Sequence, residues 1–263
     1  MKLFVRAAPN FSGNSISCNM ALLSLRFSET TENTINTMKV TYYGHACFGV
    51  EINGKHLLFD PFVTPNPLAK SIDINTIPAD FIFISHGHDD HITDVIPIAK
   101  RTNALVVANY EVAEWLQAQG APKTHSVNPG GRFDFGVGRI KSVSAIHSSS
   151  LPDGSYGGYP AGFVVESSEG NFYYSGDTAL TYDMKLIGES AKLKFAILCI
   201  GGNFTMDAED ALRAAEFVQC HEIMGVHYDT FPPIKIDHAK ARETLKAGGR
   251  NLHLLKIGET RNF

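Results

Sequence analysis

Apolar and polar positions alternate along residues 38–61, which read MKVTYYGHACFGVEINGKHLLFDP. Side chains of a β-strand point alternately to the two faces of a sheet, so this alternation predicts strands with one buried face. Asn53-Gly54 interrupts the pattern and is a strong signal for a type I′ hairpin turn. The last of these strands is predicted to end at Asp60-Pro61. The patterned part of the chain therefore begins with hairpins.

Strand and helix patterns alternate from Phe81 onwards. Helical periodicity predicts helices over 93–101, 109–120, 182–190, 207–219 and 237–247. Shorter apolar runs predict strands over 81–84, 104–108, 132–136, 139–147, 161–167, 171–177, 195–202, 222–227 and 252–258. Thr93 or Asp94 is expected to cap the first helix, and the Gly/Ser/Pro-rich stretch 148–160 to form a lid or binding loop. Hairpins followed by alternating strands and helices favour an α/β fold with two sheets covered by helices.

A dense group of polar residues follows the apolar run 81–84 in the sequence FIFISHGHDDHITD. The stretch 86–91 holds five residues that could bind a metal ion: His86, His88, Asp89, Asp90 and His91. If the backbone stays extended past the strand, the first two histidines point to the same side and can share one ion. The chain must then bend, which frees the last aspartate and histidine for a second ion. A polar loop after a buried strand would explain one or two such residues, whereas five in six positions favour a metal site.

The stretch His86-Gly87-His88-Asp89-Asp90-His91 matches the HxHxDH signature of the metallo-β-lactamase superfamily of metal-dependent hydrolases. The chain resembles this superfamily from about Met38 to its C-terminus, and within it looks most like the UPF0173 metal-dependent hydrolases, relatives of the ascorbate-phosphate lactonases. Three further stretches carry the resemblance: YYGHACF near residue 45, YSGDT at 174–178 and GVHYDTFPPI at 225–234. The resemblance implies a four-layer αβ/βα sandwich with metal ions at one edge of the two sheets.

The resemblance also implies a set of metal ligands, which lie at predicted strand ends. The first metal site would consist of His86, His88 and His147. The second would consist of Asp90, His91 and His227, and Asp177 would bridge the two ions. Taken singly, a histidine such as His147 or His227 is more often a surface or core residue. Imidazole and carboxylate ligands suit two zinc ions, with manganese, iron and nickel left open.

Three other residues near these motifs have expected supporting roles. His45 is characteristic of the closer relatives and is expected to hydrogen-bond substrate or shuttle a proton; the alternative is that it orients a ligand carboxylate. Asp60 is expected to accept a hydrogen bond from a metal-binding imidazole, and Asp89 to support the ligands or cap a helix. Tyr156 and Tyr159 of the 148–160 loop could contact substrate, although a mobile solvent-exposed loop is the preferred interpretation.

The ligand set predicts hydrolysis by a metal-activated hydroxide, since bound cations lower the pKa of water and stabilise the developing oxyanion. The departing group needs a proton, for which Asp90, metal-bound water and His45 are candidates. No GxSxG nucleophile elbow is present. An ester, lactone or phosphodiester of a small molecule would fit, and β-lactam hydrolysis is disfavoured because true β-lactamases usually lack the histidine found at His91. A metal-stabilised binding module and an iron redox protein are the non-hydrolytic alternatives.

The composition of the chain limits which binding partners and which cellular compartment are expected. Hydrophobic residues make up 44% and charged residues 19%, as in a soluble globular protein. The net charge of −4 provides no basic field, which disfavours nucleic acid as a partner. No apolar run approaches the length of a membrane span. The four cysteines are scattered without a CxxC pair, which favours a reducing, cytoplasmic location. A small-molecule substrate is expected, and a homo-oligomer is left open.

Residues 1–37 differ from the rest of the chain. Positions 1–28 carry three basic residues, five serines and no acid, a bias that resembles a transit peptide. The alternatives are a disordered tail or translation from a start upstream of the real one, and these are favoured because the family resemblance begins at Met38. We predict a disordered extension over 1–37 and a hydrolase domain over 38–263.

Overall fold

The structure, a computed structural model, describes residues 37–263. Of residues 1–37, only Thr37 lies within this range. The disordered extension predicted for residues 1–37 therefore stays a prediction. Within the described range the chain forms fourteen strands and six α-helices. The strands are β1 (Lys39–Gly44), β2 (Cys47–Ile52), β3 (Lys55–Phe59), β4 (Phe81–Phe83), β5 (Leu105–Ala108), β6 (Thr124–Ser126), β7 (Arg132–Asp134), β8 (Arg139–Ser144), β9 (Ala161–Ser167), β10 (Gly170–Tyr174), β11 (Leu193–Cys199), β12 (Glu222–Val226), β13 (Asn251–His253) and β14 (Thr260–Asn262). The helices are α1 (Asp89–Ile92), α2 (Val95–Thr102), α3 (Tyr110–Ala118), α4 (Asp183–Ser190), α5 (Ala208–Phe217) and α6 (His238–Ala247).

These strands form two seven-stranded sheets with the same plan. The strand order is β14-β1-β2-β3-β4-β5-β6 in the first sheet and β13-β12-β11-β10-β9-β8-β7 in the second. In chain order, neighbouring strands of the first sheet are antiparallel from β1 to β3 and parallel from β3 to β6. Those of the second sheet are antiparallel from β7 to β10 and parallel from β10 to β13. Consequently the C-terminal ends of β1, β3 and β4 lie together at one end of the first sheet. The C-terminal ends of β8, β10 and β12 lie together at the end of the second sheet that faces them.

Three layers of apolar side chains hold the sheets and helices together. Aromatic side chains from both sheets meet in the central layer, where the ring of Phe59 lies 5.1 Å from that of Phe83 and 5.9 Å from that of Phe172. The outer face of the first sheet is covered by α2 and α3, through side chains such as Ile98. The outer face of the second is covered by α4, α5 and α6, through side chains such as Met184. Full burial of one such side chain stabilises the fold by about 1.5–3 kcal/mol. The four-layer αβ/βα sandwich predicted from the sequence is the observed fold.

The predicted hairpin at Asn53-Gly54 is present. Both residues have positive φ, 51° and 69°, as a type I′ turn requires. The turn joins β2 to β3 and pairs Ile52 with Lys55. No helix of the described residues has the length and apolarity needed to cross a membrane.

The first predicted helix begins as expected but is capped differently. Asp94 occupies the N-cap position of α2, yet its carboxylate makes no capping bond. It instead accepts hydrogen bonds from the backbone N–H groups of Val63 (2.6 Å) and Thr64 (2.8 Å). This buried carboxylate therefore anchors the loop that follows β3.

The C-terminal strand prediction needs correction. The pattern 252–258 predicts one strand, but β13 ends at His253 because Leu255 turns into the core between the sheets. The chain then crosses to the first sheet, where Gly258 N–H donates to the Tyr42 carbonyl and β14 pairs with β1. Strands β6 and β14, each of three residues, were not predicted.

Candidate metal centre

The histidine-rich segment starts where β4 ends. Ser85 N–H donates to Asp60 Oδ1 (2.7 Å), which fixes the chain at the sheet edge. Residues 86–88 follow without regular structure, and the single turn of α1 then brings the ring of His91 to 4.2 Å from that of His86. One short segment thereby presents the side chains of His86, His88 and His91 to the same space.

A first group of possible ligands consists of three histidines, His86, His88 and His147, whose ligand atoms lie within 4.8 Å of one another. Nε2 of His86 and Nδ1 of His88 are 2.9 Å apart, and the ring of His147, which follows β8, lies 5.0 and 5.2 Å from their rings. Burial lowers the pKa of all three imidazoles, that of His86 furthest. They are therefore neutral near pH 7, the state in which an imidazole binds a metal ion.

A second group lies beside the first and combines Asp90, His91 and His227 with His45. His227 follows β12 directly with a φ of 58°, and its backbone N–H donates to the His45 carbonyl (2.8 Å). That hydrogen bond joins the ends of β1 and β12, which belong to different sheets. Burial would raise the pKa of Asp90, but the charge of His91 and the hydrogen bond with His45 outweigh it and hold the pKa below its usual range.

Asp177 lies between the two groups. Its Oδ2 is 2.9 Å from Nε2 of His227, 3.4 Å from Nε2 of His91 and 3.7 Å from Nε2 of His147. The preceding residue, Gly176, has a φ of +59°, and a Cβ there would stand 2.4 Å from the Ala161 carbonyl. Burial would raise the pKa of Asp177, but the charges of His227 and His91 hold it well below the usual range. The sequence thus places an ionised, buried carboxylate between the clusters.

Asp60 supports the second group from behind. This buried carboxylate accepts hydrogen bonds from the hydroxyls of Ser85 and Tyr174 (2.6 Å each) and from Nδ1 of His91 (2.9 Å). The last of these is the hydrogen bond predicted for Asp60, and it fixes the imidazole with its Nε2 towards Asp177. Because Ser85 Oγ donates to Asp60, it can accept from Nδ1–H of His86 (3.0 Å). The acceptor at each Nδ1 thus orients its imidazole with Nε2 towards the cluster, as metal ligands require.

The side chain of His45 is fully buried behind Asp90. Its Nε2 is 3.1 Å from Asp90 Oδ2, and its Nδ1 is 2.9 Å from the hydroxyl of Thr230. Burial and the neighbouring charge of His227 lower the pKa of His45 to about 4, so the ring is neutral near pH 7. Thr230 was not identified from the sequence, although it lies three residues after His227 within a family-like stretch.

The unsatisfied polar atoms and the electrostatics of the cluster fit a metal ion. Nε2 of His91 and Oδ1 of Asp177 are buried without a hydrogen-bond partner. Burial would lower the pKa of His91, but the carboxylates of Asp177, Asp60 and Asp90 raise it well above its usual range. The same negative field attracts a cation, and imidazole nitrogens with carboxylate oxygens are the donors that zinc and neighbouring transition metals use. The residues present can therefore hold metal.

A cavity of about 340 Å³ opens onto both groups. Five of its lining residues are possible ligands, and the others are Ser148, Phe204 and Phe231. Ser148 belongs to the 148–160 stretch predicted as a lid or binding loop. Phe204 and Phe231 were not singled out from the sequence, because a phenylalanine in a loop carries no pattern of its own. Tyr156 and Tyr159 are 60% and 75% exposed. Neither is among the described residues that line the cavity.

The loop at 148–160 is tied to the site by hydrogen bonds. Gly87 N–H donates to Ser149 Oγ (3.1 Å), and the Asn109 amide donates to the carbonyls of Gly157 (2.7 Å) and Tyr159 (3.0 Å). These contacts hold Ser148 at the rim of the cavity. Asp89 lies exposed in the first turn of α1, outside the described metal-binding groups.

Comparison with known proteins agrees with this description. Residues 39–227 match the model of the β-lactamase superfamily domain. A UPF0173 metal-dependent hydrolase of Flavobacterium johnsoniae is 52% identical over 223 residues, which cover 85% of this chain and 99% of the relative. One from Methylacidiphilum infernorum is 51% identical over the same shares. The solved structure of Igni18, a metallo hydrolase from Ignicoccus hospitalis, has a TM-score of 0.78 at 34% identity and covers 86% of this chain and 98% of its own.

The fold and the matched domain define a metal-dependent hydrolase with the metallo-β-lactamase fold. The chain belongs to the UPF0173 metal-dependent hydrolase family.

Proposed function

We propose that this enzyme binds two zinc ions and hydrolyses an ester, lactone or phosphodiester bond of a small molecule. The observation that carries the proposal is the convergence of five histidines and two aspartates from four segments of the chain on one buried space. His86, His88 and His147 would hold one ion, Asp90, His91 and His227 the other, and Asp177 both.

The bound ions would supply Lewis acidity, which lowers the pKa of a water molecule and stabilises negative charge developing on the substrate. The side chains of the protein then have two tasks. The buried imidazoles and carboxylates are held by Asp60, Ser85 and Thr230, so little reorganisation accompanies the reaction. The cavity, for its part, receives the substrate beside them.

Asp90 is the proposed proton-transfer group. Its carboxylate lines the cavity, where it can reach the reacting atoms. His45 lies on the far side of this carboxylate and does not line the cavity among the described residues, so it acts as a positioning residue. The neutral His45 ring carries a proton on only one of its two nitrogens. Its Nε2 faces Asp90, and its Nδ1 forms a hydrogen bond with the Thr230 hydroxyl.

Metal analysis of the purified chain, combined with a panel of chromogenic esters, lactones and phosphodiesters, tests the proposal. We expect bound transition metal, hydrolysis of at least one class, and loss of that hydrolysis after chelation with recovery on adding zinc. Folded protein that contains no metal and takes none up would contradict it. Hydrolysis that returns with iron but not with zinc would leave the assigned ligands unchanged and would identify iron as the metal in place of zinc.

A further inference from the structure

The cavity over the candidate metal centre has no lysine or arginine among its described lining residues. Apart from the possible ligands, its wall consists of Ser148, Phe204 and Phe231. Sites that bind phosphate or carboxylate groups away from the reacting bond normally provide arginine, lysine or a row of backbone N–H groups for them. The described wall provides one hydroxyl and two aromatic rings.

Phe204 is held in a tight turn next to the site. Gly202 N–H donates to the Met206 carbonyl (3.0 Å), and Met206 N–H donates to the carbonyl of Thr178 (3.0 Å), the residue after Asp177. Phe204 is 55% exposed. A fixed turn that exposes a large aromatic side chain beside a cavity presents a surface that only an apolar ligand group would cover favourably.

Phe231 is fixed by other aromatic rings. Its ring lies 5.5 Å from that of His45 and 6.3 Å from that of Phe62, which is buried. The carbonyl of Phe231 accepts from Ile234 N–H (3.0 Å), and Asp229 N–H donates to the Ile234 carbonyl (2.8 Å). The second aromatic wall is therefore preorganised by packing and by its own turn.

We propose that the part of the substrate next to the cleaved bond is uncharged and apolar, an alkyl or aryl group that packs against Phe204 and Phe231. The inference rests on the proposed function, because it assumes that the reacting bond sits at the metal centre. A volume of about 340 Å³ lies near the lower end of small-molecule sites, roughly 300–1,000 Å³. The substrate class is thus a small neutral ester or lactone, or a phosphodiester with apolar substituents, and substrates with a second anionic group are excluded.

The inference can be tested by binding, without knowing which bond is cleaved. Full-length protein of measured metal content is titrated by calorimetry with acetohydroxamic, butyrohydroxamic and hexanohydroxamic acids, which share a metal-binding head. Succinic monohydroxamic acid provides a tail of similar length that ends in a carboxylate. We expect affinity to rise by up to about fourfold for each methylene removed from water, and the succinic compound to bind more weakly than the butyric one.

Variants assign the effect to the wall. Phe204→Ala should weaken hexanohydroxamate about fivefold and acetohydroxamate less than about twofold, because only the longer tail reaches the ring. Phe204→Leu should retain most of the preference for the longer tail. Phe133→Ala is the matched control, since Phe133 is 47% exposed on β7 and does not line the cavity.

The outcomes separate this inference from the proposed function. Protein that takes up no metal contradicts the proposed function. Metal-loaded protein that binds all hydroxamates equally, or prefers the succinic compound, overturns only the apolar substrate class. Equal weakening of every hydroxamate by Phe204→Ala, or no weakening, also overturns it.

Discussion

The two ends of the sandwich differ in how far their charged side chains are exposed to water. At the end opposite the metal centre, a cavity of about 600 Å³ is larger than the one over the histidines. Its charged groups remain in water: Arg139 Nε donates to Glu166 Oε2 at 2.8 Å, with the arginine side chain 53% exposed. Such an exposed ion pair contributes little free energy, typically about 0–1 kcal/mol. At the metal end, Asp60, His91, Asp177 and His227 are buried. Chemistry is therefore expected where charge has been removed from water, not at the larger of these two cavities.

The backbone differs between the ends as well. The far end turns through Asn53-Gly54, residue types that tolerate positive φ. At the metal end His45, Asp60 and His227 adopt positive φ, at 55°, 42° and 58°. Each such residue costs on the order of 1–3 kcal/mol. Strain of this kind persists where surrounding contacts impose it, and here it aims the side chains of His45 and His227 into one space.

The largest effect should follow from removing the carboxylate between the two groups. Asp177→Ala is expected to weaken metal binding at both positions and to abolish hydrolysis, because Asp177 Oδ2 faces Nε2 of His227, His91 and His147. Elemental analysis and turnover are measured on the same preparations. Glu166→Ala at the far end is the control and should change neither. Full metal content in folded Asp177→Ala would remove Asp177 from the ligand set.

The next largest effect should come from His45. His45→Ala is expected to keep the metal and lower turnover by about 10²–10⁴-fold, the usual cost of disturbing proton transfer, because Asp90 loses its hydrogen-bond partner. His253→Ala is a matched control, since that imidazole pairs with a partly exposed carboxylate, Glu222 (2.6 Å), away from the metal-binding groups. Loss of metal from His45→Ala to the same extent as from Asp177→Ala would place His45 in the coordination sphere, and unchanged turnover would make it structural.

A smaller effect is expected from the carboxylate behind the site. Asp60→Asn replaces an acceptor of several hydrogen bonds by a group that also donates, so the orientation of His91 is no longer fixed. Metal affinity should fall about 10–100-fold, as for other groups that orient a ligating histidine. Tyr174→Phe is the control, because it removes one donor and keeps the carboxylate. Competition with a chromogenic chelator measures both variants, and equal affinities for Asp60→Asn and the parent chain would contradict the assignment.

The sequence reveals the parts of the site and fold that depend on local pattern. His86, His88 and His91 are close in sequence, and a strand followed by one turn brings them together, so their proximity could be predicted. His147, Asp177 and His227 follow separate strands, and the family resemblance was needed to link them. The hairpins and the two helix-covered sheets were predicted correctly because alternation and turn residues are local signals. The four-layer αβ/βα sandwich was implied by the family resemblance.

The remainder depends on tertiary contacts that leave little trace in the sequence. Strand β14 is polar and exposed, and it becomes a strand only because β1 offers it an edge. Thr230 is significant only because His45 of the opposite sheet reaches it. Phe204 and Phe231 resemble core residues in sequence, and the topology alone places them at the cavity.

The smallest effect is expected where the chain enters the sandwich. Met38 precedes β1, at the end remote from the metal centre, and is fully buried. Its backbone N–H donates to the Phe263 carbonyl (3.2 Å), and its carbonyl accepts from Phe263 N–H (3.0 Å). Protein that begins at Met38 retains these contacts and should match the full chain in melting temperature and metal content. Protein that begins at Thr41 loses Met38 and the first two residues of β1, so it should melt well below both. A large drop in melting temperature for the chain that begins at Met38 would mean that residues 1–37 pack on the domain.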